Sequence, residues 1–431
     1  ILYDNEMKKM LYFPKELTSV PTLPETLEEI GAGVFANNKN ITSFVVPNTV
    51  KTIGANAFEG ARLTTLTFAP GNDTNELTIG GNAFKDCDYI TTLALPNRTK
   101  TIGTYAISGM DSLTSLTLNE GLTEIGKYAI YSNPALTSLA IPDSVTKIGY
   151  SGIASNYALA SITFGEDSKL EEIGAWGLAN NKAMESIVIP ATVKYLRYYS
   201  LHQGSGSTIG KLNQVTFATG SQLEIIEPYA FYYVQIKTIT IPKTVTEIGS
   251  YAFEYAKLEE IIFEKGGTAD LTLGAPSTYI NNSNGVSTGT SYGYVFGYTN
   301  LKAFEIPARA TEIGTYAFYG ATALKSLTFE EGTASSLQQI GNYAFRECSG
   351  LTSITIPDSV TSIDEAAFWN CISLERVIIY GHIETIGEAA FWDCHADLTF
   401  YADSETTRTT LERYGIANDK ILLISQLPSQ L

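Results

Sequence analysis

The sequence predicts an α/β repeat solenoid: about fifteen coils of roughly 23 residues, each laying one strand of a parallel sheet beside the last. Three observations carry that reading. The hexapeptide Ile-Gly-x-x-Ala-Phe recurs along the chain, at Ile53–Phe58 and Ile79–Phe84 and again from Ile248, Ile313, Ile340 and Ile386. Looser copies start at Ile30, Ile102, Ile125, Ile148, Ile173, Leu196, Ile226 and Ile363, and the commonest interval is 23 residues, as in 79–102–125–148 and 340–363–386. Each copy is followed by Leu-x-x-Ile-x-Ile/Phe, as in Leu351–Ile356, whose period of two is that of a strand with one buried face. A repeat array escapes the usual division of a 431-residue chain into separate globular domains, because each unit packs only on its neighbours.

Residues 1–19 are expected to form a hairpin cap, with Asp4-Asn5 turning between Ile1–Tyr3 and Lys9–Phe13. The solenoid is expected over 20–400. Within a coil, the Gly after Ile lets the chain turn where a Cβ would clash. Ala-Phe sends a large ring into the core beside a small residue, and Pro, as in Ile356-Pro357, ends the strand because it cannot donate to the ladder. Strands ending in Pro (Pro47, Pro96, Pro142, Pro190, Pro242, Pro307, Pro357) alternate with strands ending at Phe68, Leu118, Phe164, Phe217, Phe263 and Phe329. Most of the latter run into longer Gly/Ser/Thr loops, which should project from one edge on every second rung. The largest insertion, 275–294, lengthens the interval from Leu273 to Ile313 to 40 residues, and a smaller one spans Gln203–Lys211. Long loops on a rigid scaffold are where binding concentrates, although lengthening a surface loop also costs little by itself. Residues 401–431 are expected to close the array: Ser404 caps a helix running to Tyr414, Gly415 stops it, and Ile421–Ile424 adds a strand.

The segment Leu351-Thr-Ser-Ile-Thr-Ile-Pro-Asp-Ser-Val360-Thr-Ser-Ile363 closely resembles the repeat of the BspA-like leucine-rich-repeat family, L-x-x-I-x-I-P-x-x-V-x-x-I-G-x-x-A-F-x-x-C. The likeness covers about residues 20 to 400 and recurs over a dozen times. It departs from the family where Gly is lost, at Arg197, Glu227 and Asp364, and at the Cys position, which usually holds another residue. The resemblance implies a right-handed leucine-rich-repeat solenoid with short helical or 3-10 turns opposite the sheet, an N-terminal hairpin, and a secreted or cell-surface protein, often from a host-associated bacterium. It implies no single ligand.

Chemistry is sparse. The net charge of −17 disfavours nucleic acid and anionic membrane surfaces, and no run of about 18 apolar residues is present to span a bilayer. The chain starts at Ile1 without Met or an apolar leader, as expected of a trimmed chain whose export signal lies outside this sequence. No phosphate loop, zinc spacing or EF-hand pattern calls for a cofactor or metal. His395 follows Cys394, but neighbouring residues on a strand or turn point apart, so a nucleophilic dyad is not expected. Cys348, Cys371 and Cys394, 23 apart, should stack as a column with Cys87 in the same slot, either as buried thiols or as a metal or disulfide site.

Among outward strand positions, which are nearly all small, Glu260 and Glu305 stand out as a diagonal pair on consecutive strands. They are read as solvated acids, as a ligand contact, or as the acid pair of a polysaccharide-cleaving enzyme. An aromatic column precedes Ala-Phe, at Tyr105, Tyr128, Trp176, Tyr199, Tyr229, Tyr251, Tyr316 and Tyr343, and a second stripe follows Phe, at Tyr131, Tyr232, Tyr319, Trp369 and Trp392. Such rings either pack along the rim or anchor a ligand. The ligand-binding candidates are therefore Glu260, Glu305, Tyr229, Tyr251 and Tyr316, with Tyr279, Tyr292 and Tyr294 from the insertion. The function expected is a non-enzymatic, monomeric surface or secreted adhesion scaffold for a protein or glycan. The alternatives are a carbohydrate-active enzyme and a purely structural spacer.

Overall fold

The computed structural model describes residues 1–71, 75–204, 208–275, 279–282, 285–287 and 293–426. One coil explains the rest. In Ser353–Ile356 the inward Ile354 and Ile356 are at most 2% exposed, while Ser353 and Thr355 stay half-exposed. Pro357 ends the strand, and the Val360 N–H closes a turn on the Pro357 carbonyl at 3.2 Å. A second, two-residue strand follows at Ser362–Ile363. The chain then passes through two turns that donate to the next coil from Ala366, Phe368 and Asn370. This coil is thus bonded to its neighbour along three sides, which leaves few buried amides without a partner.

The coils fall into two compact units, Ile1–Ser221 and Gln222–Leu431. In the first, the short strands form an unbroken parallel ladder from Lys9–Tyr12 through Glu29–Ile30 and Thr52–Ile53 to Tyr195–Leu196. The long strands, expected to make one continuous sheet, pair only two by two: Ser43–Val46 with Thr65–Phe68, Thr92–Ala94 with Ser115–Thr117, Ser138–Ile141 with Ser161–Phe164, and Ser186–Ile189 with Gln214–Phe217. Each pair joins a Pro-ended strand to the strand that follows it. The pairs part where the longer loops enter, so the two-coil rhythm of the sequence interrupts the sheet. In the second unit Thr238–Ile241 pairs with Glu260–Phe263, and six strands then run without interruption from Ala303–Ile306 to Ile421–Leu423.

Phe58, Phe253 and Phe345 are all 0% exposed. In the second unit the core rings form one column, Phe231–Phe253–Phe296–Phe318–Phe345–Phe368–Phe391, with centroids 4.8 to 5.7 Å apart. Glycine follows Ile because the coils touch there: a Cβ on Gly387 would lie 2.2 Å from the Glu365 nitrogen, and one on Gly103 2.6 Å from the Gly80 carbonyl carbon. In nearly every coil two residues adopt left-handed backbone, the one before Ala-Phe (Tyr343, φ 57°) and the second after Phe (Glu347, φ 63°). Left-handed residues cannot continue a right-handed helix. The connections therefore remain turns, and the only α-helix among the described residues is Glu405–Arg413.

The family's Cys slot, three residues after Phe, holds apolar residues such as Ala61, Met110 and Val234 in some coils, and in seven others a side chain that donates one hydrogen bond to the preceding coil. Cys87, Cys348 and Cys371 are buried free thiols whose Sγ donates to Phe58, Phe318 and Phe345 carbonyls at 3.0 to 3.1 Å, and Cys394 repeats this at Phe368. Asn133, Asn156 and Asn181 make the same bond through Nδ2, to Ile107, Ile130 and Ile153 carbonyls. Each Asn also accepts from the coil before it, as when the Asn133 N–H donates to Asn156 Oδ1 at 2.9 Å.

At the ends, Lys9–Tyr12 pairs antiparallel with Leu2–Tyr3 and parallel with Glu29–Ile30. The Glu405–Arg413 helix is capped by Ser404, which accepts from the Thr407 N–H, and Ile421–Leu423 lies parallel to Thr399–Ala402. Among the described residues no helix is long and apolar enough to cross a membrane.

Candidate functional site

The left-handed position before Ala-Phe is filled in easy cases by Asn56, Asn82 or Gly33, which tolerate that backbone. Elsewhere it holds bulky rings. In the second unit Tyr229, Tyr251, Tyr294, Tyr316 and Tyr343 form one column with centroids 4.5, 5.2, 4.6 and 4.8 Å apart and ring planes within 11° of parallel. A second column, Tyr233–Tyr255–Tyr298, occupies the other left-handed position at 4.7 and 4.8 Å. Tyr232 and Tyr319 stand edge-on between the columns. Stacking offsets the cost of holding tyrosines in a strained conformation. It also turns the ring faces toward one another, so this flank presents edges and hydroxyls. In the first unit the columns are short: Tyr105–Tyr128 at 4.5 Å and Trp176–Tyr199 at 4.3 Å.

Of the residues singled out from sequence, Tyr229, Tyr251, Tyr294 and Tyr316 therefore come together as consecutive members of one stack. Tyr294 was assigned to the insertion, whereas it fills the repeat position. The insertion splits the hexapeptide between Gly274 and Gly293, and Tyr294-Val295-Phe296 completes it. Val in place of Ala hid the match, and the retained Tyr294 and Phe296 were the signal that could have shown it. The loop thus leaves and re-enters the coil beside the column. It contains an antiparallel pair, Tyr279–Asn282 with Gly285–Ser287, which holds Tyr279; Tyr292 lies outside the described residues.

One residue that sequence reasoning missed lies under this flank. Glu254 is only 7% exposed, its carboxyl has no hydrogen-bond or ion-pair partner among the described residues, and burial pushes that carboxyl up to about 8. Its charge bears on the phenols of Tyr232, Tyr255 and Tyr294. Burial raises all three, Tyr294 to about 12, so they stay neutral at pH 7.

The other candidates are less organised. Glu260 opens its strand and Glu305 is third in the next, both exposed, but no ladder bonds join those two strands to fix a carboxylate spacing. Neighbouring Glu259 bridges Lys237 and Lys302. The Cys394 thiol is spent on the Phe368 carbonyl and pushed up to about 12 by burial, while His395 Nδ1 accepts from the Asp397 N–H, so no dyad is assembled. Two open grooves of about 590 and 550 Å³ lie where long-strand pairs part in the first unit, at Leu66–Gly71 beside Thr92–Arg98 and at Ser161–Ser168 beside Ser186–Thr192. Ser and Thr hydroxyls line both together with apolar residues such as Leu93 and Pro96 in the first and Phe164 and Val188 in the second.

A model described as BspA type Leucine rich repeat region (6 copies) matches residues 7–76, 77–208, 207–272 and 290–418. The chain belongs to the BspA-type leucine-rich-repeat family. The unmatched stretch of this BspA-type array, 273–289, contains most of the insertion. The fold is similar to that of a leucine-rich repeat protein from Bacteroides ovatus ATCC 8483 (20% identity, 98% of this chain and 97% of that one, TM-score 0.61). Weaker likenesses are to a leucine rich cell surface protein from Faecalibacterium prausnitzii A2-165 (22% identity, 92% and 88% covered, TM-score 0.31) and to the pneumococcal vaccine antigen PcpA (18%, 77% and 89%, 0.39). No curated protein matches the BspA-type chain.

Proposed function

We propose that this chain is a non-enzymatic adhesion scaffold, outside the cell or on its surface, that holds a partner against the tyrosine-lined flank of residues 222–431. The observation that carries this is the double column of stacked tyrosines, with a long insertion emerging at its middle. Rigid rings offer contact area at low entropic cost and recur at binding hot spots. Because the faces are consumed by stacking, exposed edges and hydroxyls favour a protein partner. A glycan is favoured only at Trp392, which is 61% exposed and has one face on Trp369. Family membership supports the location, and the buried, weakly acidic thiols would resist oxidation there. The scaffold acts as a monomer.

Binding of the full chain to a panel of immobilised matrix proteins and glycans tests this. Replacing Tyr298 and Tyr319 together by Ser is expected to weaken the partner found by tenfold or more. Val188→Ser, at an exposed strand position of the first unit, should leave it unchanged. The reverse pattern contradicts the proposal.

A further inference from the structure

The position directly after the core Phe is equivalent from coil to coil. In the first unit it holds Glu59 and, one coil later, Lys85, whose Nζ lies 3.2 Å from Glu59 Oε1. Two backbone bonds frame the pair: Phe58 N–H to Ala83 O and Gly60 N–H to Lys85 O, both 2.8 Å. The same frame recurs in the second unit, with Phe253 N–H donating to Val295 O at 2.9 Å and Tyr255 N–H to Gly297 O at 3.1 Å. Glu254 therefore stands in the place of Glu59, and Gly297 in the place of Lys85. The other partner of Glu59 is lost as well, since Asn56, whose amide donates to it, is replaced by Tyr251. What remains is a carboxyl 7% exposed with no side-chain partner among the described residues, facing a position where glycine stands in place of the lysine that pairs with Glu59.

Resting on the reading that this flank is the binding face, we infer that the slot beside Gly297 seats a primary ammonium group from outside the chain, the side chain of a lysine on a bound protein, with Glu254 as its counter-ion. An ammonium fits better than a guanidinium. The native occupant of the equivalent slot is Lys85, and successive coils are only about 4.8 Å apart. An ammonium carries three donors on a compact charge. The Glu254 carboxylate takes one, and the neighbouring phenols of Tyr255 and Tyr294, which its charge reaches and which are neutral at pH 7, are placed to offer the rest.

Calorimetry of the full chain with Nα-acetyl-lysine methylamide, at pH 7 in two buffers of different ionisation enthalpy, tests this. Free Glu254 is mostly protonated at that pH, so pairing with an ammonium expels its proton. Binding with release of nearly one proton per chain is expected, and the neutral norleucine analogue should not bind. Glu254→Gln should lose at least tenfold in affinity and all proton release. Gly297→Lys should also block binding by supplying the ammonium internally. A Cβ there meets Tyr294 Cδ1 at 3.2 Å, which a small ring shift relieves, and Glu254→Gln decides the matter if that variant does not fold. Undiminished binding to Glu254→Gln, or no lysine binding to the wild type, overturns the inference. If the lysine probe fails while Tyr298/Tyr319 substitution still weakens the partner, the ammonium seat falls and the binding face stands. If lysine binds but the partner ignores the tyrosines, the binding face falls.

Discussion

Asn156→Ala is expected to destabilise the unit Ile1–Ser221 by about 3–5 kcal/mol. Asn156 donates to the Ile130 carbonyl and accepts from both the backbone and the side-chain amide of Asn133, all in a fully buried column. Truncation leaves at least two of these groups without a partner or water, at about 1–3 kcal/mol each. The cavity adds to that. The slot is shared with cysteine elsewhere, which makes a sharper comparison available. Asn156→Cys should recover the single bond to Ile130 that Cys371 makes to Phe345, and so fall between wild type and Ala. Thermal unfolding followed by circular dichroism checks the order. Equal loss for Ala and Cys would mean that the slot's polar bond contributes little and that volume alone matters.

Stability should also fall as pH rises through the range set by Glu254. Its folded pKa of about 8 lies above the ordinary value of 4.5, so between those limits the unfolded chain has lost a proton that the folded chain keeps. Stability attributable to this group is therefore intact below about pH 4.5 and declines up to about pH 8, by roughly 3–5 kcal/mol in all. Glu254→Gln removes the titration. Relative to wild type, the variant should gain several degrees in Tm between pH 5 and pH 9. A difference between the two proteins that does not change with pH would show that Glu254 is not buried as a neutral acid.

Much of this was legible in the sequence, for definite reasons. The coil could be counted because Ile, Gly and Phe each meet a constraint that recurs at most rungs: the inward face, the close approach to the coil before, and the ring stack. The alternation of Pro-ended and Phe-ended strands foretold a two-coil rhythm, although not that it would cut the sheet of residues 1–221 into pairs. That outcome depends on how far each loop spreads its neighbours. Tyr229, Tyr251 and Tyr316 were readable as a column because they share a motif position. Tyr294 was hidden because the insertion separates it from Leu273-Gly274. Glu254 could not be recognised at all. A single Glu in an acidic chain is unremarkable until the facing position is known to be Gly297, and only the coil register brings those two together. Likewise, the Cys slot varies in sequence, yet Asn133, Asn156 and Asn181 donate to the same carbonyl position that the cysteines use.

The binding face is tested most directly by hydrogen–deuterium exchange of the full chain, with and without a saturating partner. Protection concentrated in residues 251–256 and 293–298 is the predicted result, since these carry the facing tyrosines and the Glu254 slot. Protection confined to residues 1–221, with these segments unchanged, would contradict it.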